Sequence, residues 1–121
     1  MFRKYLVWVV LGTFTLAAGL YFYLSDNAAV LIAKSKVEAT LKDPSSVTYR
    51  NINAKKTVLG TYQVCGEFNA KNSFGAYAGF SRFMYDEASP KHGTKEIFSV
   101  EPKESAEAIK LFDIMWNMCG K

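Results

Sequence analysis

The chain has 121 residues and a formal charge of +4, from 15 basic and 11 acidic residues. This length supports one domain with a modest core rather than two. The small charge excess does not form the basic stripe that nucleic-acid-binding surfaces show, so we expect no nucleic-acid partner.

An uncharged segment, residues 5–24, predicts a transmembrane helix. At 1.5 Å per residue it would be roughly 30 Å long, which is the thickness of the hydrocarbon core. Aromatic residues such as Trp8 and Tyr21 mark its ends, as is typical of membrane interfaces. Arg3 and Lys4 precede it and by the positive-inside rule stay in the cytoplasm. We predict a single-pass inner-membrane anchor, residues 1–24, and a periplasmic domain, residues 25–121.

The alternative interpretation of this segment is a cleaved signal peptide. Thr15-Leu16-Ala17 provides a small-x-small cleavage pattern. Residues 20–24 are again apolar, however, and a signal h-region is usually shorter than this segment. We favour the uncleaved anchor, and an accurate mass of the purified protein decides between the two.

Residues 28–42 predict a second helix, because an apolar stripe recurs at helical spacing through Val30, Ala33, Val37 and Leu41. The polar residues 25–27 could cap it as a separate helix. They contain no proline or glycine, so the membrane helix could instead continue into it. Pro44 ends the helix, since the residue before a proline is driven out of the helical region.

Four strands are predicted next, at residues 47–52, 61–69, 76–86 and 95–100, with turns at residues 53–56, 71–75 and 89–93. The clearest strand is residues 61–69. Its alternation places Tyr62, Val64 and Phe68 on one face and Gln63, Cys65, Glu67 and Asn69 on the other.

A final helix is predicted at residues 103–118. Its apolar face follows helical spacing through Ala108, Leu111, Phe112, Met115 and Cys119. The predicted fold class is therefore α+β: an N-terminal transmembrane helix, then a helix, an antiparallel β-meander of about four strands, and a C-terminal helix packed on the sheet.

Cys65 and Cys119 are the two cysteines, and outside the cytoplasm they are expected to form a disulfide. Closing this loop would stabilise the domain by about 4 kcal/mol on the chain-entropy model. Cys65, however, shares its strand face with Gln63 and Glu67. Either Gly66 bends the strand, or both faces of the sheet are partly covered. Two cysteines and one histidine do not make a zinc site, and we expect no metal and no cofactor.

Residues 64–80 concentrate polar side chains and glycines in one predicted hairpin. Such a set can lock a turn through side-chain-to-backbone hydrogen bonds, or it can contact a polar partner. Arg82 on the next strand could pair with Glu67. Both interpretations stay open, and the candidate binding residues are Glu67, Asn69, Lys71, Asn72, Tyr77 and Arg82.

The sequence contains none of the common catalytic motifs that would support an enzyme. His92 is the only histidine and lies in a turn, and the chain lacks the G-x-S-x-G, P-loop and HExxH patterns. A pairing of Glu67 with Asp86 or Glu87 as general acid and base has no better support than solvated carboxylates. We expect no catalytic residues.

Three segments carry a family resemblance: KDPSSVTYRN at residues 42–51, VCGEFNAKN at 64–72 and GxYxGF at 75–80. Together they resemble a family of small exported bacterial and phage-associated proteins of uncharacterised function. The similarity covers about residues 41–85. It implies a small secreted or anchored domain that often carries this cysteine, and it assigns no activity to any residue.

Three functions fit this sequence. The first is a membrane-anchored periplasmic module that binds a protein partner, as an accessory subunit or inhibitor in the bacterial envelope. The second is a phage or prophage exclusion or immunity factor. The third, a small envelope hydrolase or ligand carrier, needs a pocket with converging polar groups. We favour the first and expect no small-molecule ligand.

Overall fold

The computed structural model describes residues 2–119, except for the side chains of residues 22–27. Its helices and strands are α1 (Phe2–Glu38), β1 (Thr48–Lys56), β2 (Tyr62–Asn69), β3 (Ser81–Asp86), β4 (Ile97–Val100) and α2 (Ala106–Met118). Short 3₁₀ turns lie at Pro44–Ser46 and Pro90–His92. This order confirms the α+β class with a helix on each side of an antiparallel sheet.

Helix α1 is continuous through the point where the sequence left two options open. Its first part, Phe2–Tyr21, has a mean hydropathy of 1.4 and is not buried by the rest of the protein. It is long and apolar enough to cross a membrane, a property that signal sequences share. The predicted cap at residues 25–27 starts no new helix, and the side chains there lie outside the description.

The second part of α1 belongs to the folded domain. Ala29, Ala33 and Val37, spaced four residues apart, are buried against the sheet. Small side chains at two of these positions bring the helix close to the strands. The predicted stripe is confirmed in Ala33 and Val37, and Val30 and Leu41 pack at the margin of the same core.

The four strands form an antiparallel meander in the order β1-β2-β3-β4. Val64 pairs with Tyr85 and Cys65 with Met84 across β2 and β3, so the two faces alternate as the sequence predicted. One face, carrying Val64, Phe83 and Tyr85, packs on α1.

The other face of the sheet carries Cys65 and Met84 and is also covered. A disulfide joins Cys65 to Cys119, directly after α2, with 6.2 Å between the two Cα atoms. That separation is ordinary for a disulfide. Phe112 of α2 is 2 % exposed. Helices on both faces explain why Cys65 shares a face with polar residues and is still buried, and the disulfide prediction is confirmed.

Strand β1 contains a bulge that the sequence did not indicate. Between the pairs Arg50–Glu67 and Asn53–Cys65, two residues, Asn51 and Ile52, lie opposite one residue of β2. Asn51 has a φ of 53°, in the left-handed region that asparagine tolerates better than most residues. The bulge restores the alternation and the strand continues to Lys56, so the predicted turn at residues 53–56 was wrong.

Two other boundaries differ from the prediction. Residues 76–80 were predicted as strand, but β3 begins at Ser81. Gly75 and Gly79 have φ values of 76° and 94°, which do not fit an extended strand. Helix α2 begins at Ala106, where the Ser105 hydroxyl accepts a hydrogen bond from the amide of Ala108.

The predicted apolar face of α2 is only partly buried in the structure. Phe112 is buried, and Ala108, Met115 and Cys119 are half-buried. Leu111 is 59 % exposed, because a single helix on an open sheet buries a narrower stripe than its apolar pattern offers.

Candidate functional site

The carboxylate of Glu67 lies on the α2 side of the sheet and is held by its neighbours on β1. It accepts hydrogen bonds from Nε and Nη2 of Arg50, at 2.9 and 3.2 Å, and from Nδ2 of Asn51 at 2.6 Å. The hydrogen bond from Arg50, followed by that from Asn51, lowers the pKa of Glu67. The bulge places Asn51 where it reaches Glu67, so this acid serves the packing of β1 on β2.

Arg82 lies directly opposite Glu67 across β2 and β3, as predicted, but its ion pairs are formed elsewhere. Its Nη2 donates to Glu101 at 2.7 Å and to Asp113 at 2.6 Å. Its backbone amide also donates to Glu101, at 3.1 Å. Arg82 therefore connects the sheet to α2 instead of closing the predicted Glu67–Arg82 pair.

The same guanidinium lies near two rings of α2, at 5.2 Å from the centroid of Phe112 and 5.4 Å from that of Trp116. The hydrogen bond to Glu101 raises the pKa of Arg82 and lowers the pKa of Glu101. Arg82 thus stabilises the packing of α2 by both charge and stacking.

Asn69 and Asn72 hydrogen-bond to the backbone of the segment that follows β2. The side-chain oxygen of Asn69 accepts from the amide of Gly79 at 3.1 Å. That of Asn72 accepts from the amides of Phe74 and Ala76, at 2.9 and 3.2 Å. These are the Asx-type bonds that the sequence allowed, and they fix the course of residues 71–80.

Lys71 and Tyr77 attach the same segment to the turn after α1. The amide of Lys71 donates to the hydroxyl of Ser46 at 2.9 Å, and the hydroxyl of Tyr77 donates to the carbonyl of Ser46 at 3.0 Å. Nζ of Lys71 lies 5.8 Å from the centroid of the Tyr77 ring. Nothing in the sequence indicated the role of Ser46, because the contact spans 31 residues along the chain.

Residues 71–80, here called the aromatic loop, are all exposed to solvent. Phe74 is 94 % exposed, Tyr77 50 % and Phe80 39 %. The ring of Phe80 is covered by the guanidinium of Arg50, at 3.7 Å from its centroid. The polar candidate residues thus bond mostly within the chain. Tyr77 and Phe80 each contact the domain on one side, whereas the Phe74 side chain is almost fully exposed to solvent.

A cleft of about 230 Å³ lies beside the aromatic loop. Residues directly after α1, among them Leu41 and Lys42, form one wall, and Lys71, Gly79 and Val100 lie among the others. The loop and cleft are therefore at the end of α1 remote from Phe2–Tyr21. Lys42 and Lys103 are far apart in the sequence but both line this cleft, and no local sequence pattern indicates this.

Within residues 2–119, no three histidine, cysteine, aspartate or glutamate residues are grouped as metal ligands. Nδ1 of His92 and the hydroxyl oxygen of Ser89 are 2.8 Å apart and form a hydrogen bond within the turn at residues 89–94. Both cysteines are in the disulfide.

Comparison of the chain with protein-family models, with curated proteins and with solved structures finds no match.

Proposed function

We propose that this protein is a membrane-anchored protein-binding module of the bacterial envelope, acting as an accessory subunit or inhibitor. Helix α1 would anchor it in the inner membrane with its N-terminus in the cytoplasm and the domain in the periplasm. The observation that carries the proposal is the aromatic loop, which is exposed to solvent, hydrogen-bonded to the rest of the domain and remote from Phe2–Tyr21.

Exposed aromatic side chains on a fixed loop suit protein recognition. Burying a side chain such as Phe74 would contribute roughly 1.5–3 kcal/mol to association. Asn69, Asn72 and Ser46 accept hydrogen bonds from backbone amides of the loop and so position it before a partner binds. A preordered loop loses little conformational entropy on binding, which favours affinity.

The proposed location has two supports. The disulfide between Cys65 and Cys119 suits an oxidising compartment such as the periplasm. Arg3 and Lys4 before the apolar segment favour an N-terminus in the cytoplasm. The resemblance to small exported proteins agrees with both.

A ligand carrier or hydrolase is less well supported. The described cavities of the domain have volumes of about 230, 220 and 270 Å³. Small-molecule sites usually occupy about 300–1,000 Å³. Glu67 and Arg82, the charged groups nearest to a catalytic role, are engaged in ion pairs.

Photocrosslinking in intact membranes tests the proposal. A benzophenone amino acid replaces Phe74 in the aromatic loop, and in the control it replaces Val58, which is fully exposed in the turn at the opposite end of β2. We expect a discrete protein adduct from position 74 and none from position 58. No adduct at 74, or the same adducts at both positions, would contradict the proposal.

The same experiment separates the two binding hypotheses. An accessory subunit or inhibitor should give the adduct in unchallenged cells. An exclusion or immunity factor should give it only after phage infection or exposure to a toxin protein.

A further inference from the structure

The cleft beside the aromatic loop brings together three lysines from distant parts of the chain, Lys42, Lys71 and Lys103. We call it the lysine cleft. Its other lining residues are Thr40, Leu41, Phe68, Ala70, Asn72, Ala78, Gly79, Ser81 and Val100. None of these residues is acidic, so the cleft has a positive rim without a built-in counter-charge.

Three other basic residues of the domain are held in ion pairs. Lys36 pairs with Glu96, Arg50 with Glu67, and Arg82 with Glu101 and Asp113. Among the described residues, the three lysines of the cleft form no ion pair within 4.0 Å. Glu101 is the acid whose pKa responds to Lys103, and it is already bound to Arg82. The cleft therefore places three positive side chains without a salt bridge around one cavity.

The floor of the lysine cleft is apolar. Phe68 is buried, and Leu41 and Val100 are half-buried. A volume of about 230 Å³ fits one large apolar side chain and is smaller than usual small-molecule sites, which occupy about 300–1,000 Å³. The shape thus suits a side chain of another protein better than a free metabolite.

We infer that the lysine cleft binds an acidic segment of the protein partner, with one apolar side chain on the floor and its flanking carboxylates at the three lysines. This inference rests on the proposed function and names the chemistry of the partner. Lys71 belongs to both surfaces, since it lines the cleft and lies against the ring of Tyr77. The aromatic loop and the cleft therefore form one continuous binding surface.

A synthetic probe tests the inference directly. The full chain in detergent micelles is titrated with a fluorescein-labelled peptide, EDLFDE, and binding is followed by fluorescence anisotropy. Two control peptides change one property each: QNLFNQ lacks the charges and EDGGDE lacks the apolar pair. We expect EDLFDE to bind at least about tenfold more tightly than either control, and its affinity to fall between about 50 and about 300 mM salt.

Variants of the protein locate the binding. Lys42, Lys71 and Lys103 are replaced together by glutamine, and in a second variant by glutamate. The matched control replaces Lys55, Lys91 and Lys110, which are exposed and lie outside the cleft, by the same residues. We expect the glutamine variant of the cleft to weaken EDLFDE binding by about tenfold, the sum of three exposed charge pairs. The control should bind like the wild type.

In the peptide titrations, three results would overturn the inference: no binding of EDLFDE up to about 1 mM, equal loss in both sets of variants, or equal binding of EDLFDE and EDGGDE. Circular dichroism and the intact disulfide verify the fold of each variant, and the glutamine set remains informative if the glutamate set fails to fold. If the adduct at position 74 still forms after the cleft substitutions, the inference of an acidic partner segment is refuted but the proposed function is not. No adduct at all would remove the proposed function instead.

Discussion

Replacing Gly66 by alanine should disturb the centre of the sheet. Gly66 lies in β2 opposite the bulge, and a Cβ atom there would overlap Cδ1 of Ile52 and lie 2.9 Å from Cε1 of Phe83. Phe83 is completely buried and has little freedom to move. Gly66 has no positive φ, so the penalty comes from crowding and not from backbone strain.

The magnitude follows from two opposing effects. Overpacking a core by one methyl group costs about 1–3 kcal/mol. Alanine also reduces the entropy of the unfolded chain, which returns about 0.4–1 kcal/mol. The net loss in the free energy of unfolding should be roughly 1–2 kcal/mol. For a domain of this size, that corresponds to a fall in Tm of roughly 5–15 °C.

A double-mutant cycle with Ile52→Val identifies the cause, because valine removes the Cδ1 atom that the new methyl group would overlap. The single change Ile52→Val should cost about 0.5–1.5 kcal/mol. The double variant should lose less than the sum of the two by at least about 0.5 kcal/mol. Urea unfolding in detergent, followed by Trp116 fluorescence in a Trp8→Phe background, measures all four proteins. A fully stable Gly66→Ala protein, or strict additivity, would refute the reasoning.

Three further predictions concern the links between layers. Replacing Cys65 and Cys119 by serine should cost about 2–4 kcal/mol in urea unfolding, and reductant should then have no further effect; an unchanged midpoint would show that the disulfide does not stabilise the fold. Arg82 lowers the pKa of Glu101, so this ion pair stabilises the fold above the unfolded-state pKa of about 4.3, and its contribution is lost as the pH falls through the lower pKa of the folded state. Arg82→Met should therefore weaken the pH dependence of the free energy of unfolding between about pH 5 and pH 3. An unaltered pH profile would contradict this expectation. At the left-handed Asn51, glycine should be more stable than alanine by about 1 kcal/mol in thermal unfolding, and the reverse order would argue against the backbone conformation.

Local sequence patterns predicted the helices and strands whose apolar residues recur at regular spacing. Strand β2 and helix α2 were located by alternation and by helical spacing, and the disulfide by composition and compartment. The bulge could not be predicted, because the sequence around Asn51 contains no glycine and the extra residue matters only against β2. The segment 76–80 was misassigned because aromatic residues at alternate positions, Tyr77 among them, are typical of strands.

The site was predicted in its location but not in its contacts. Glu67 and Arg82 do face each other across β2 and β3, which follows from strand register. Their partners come from elsewhere: Arg50 through the bulged strand, and Glu101 and Asp113 from beyond β4. Which acid pairs with which base depends on distances in the folded structure, and local sequence patterns do not contain these distances.

The bulge in β1 has a consequence for copies of the domain that lie close together, as they would if α1 anchored them in a membrane. An open meander has two edges, and an exposed edge strand can pair with the edge of another molecule. Here the edge of β1 is interrupted at Asn51 and ends in two lysines, Lys55 and Lys56, while β4 at the other edge is only four residues long. Copies of the domain held side by side would meet at high local concentration, and these features would disfavour pairing between the edges of their sheets.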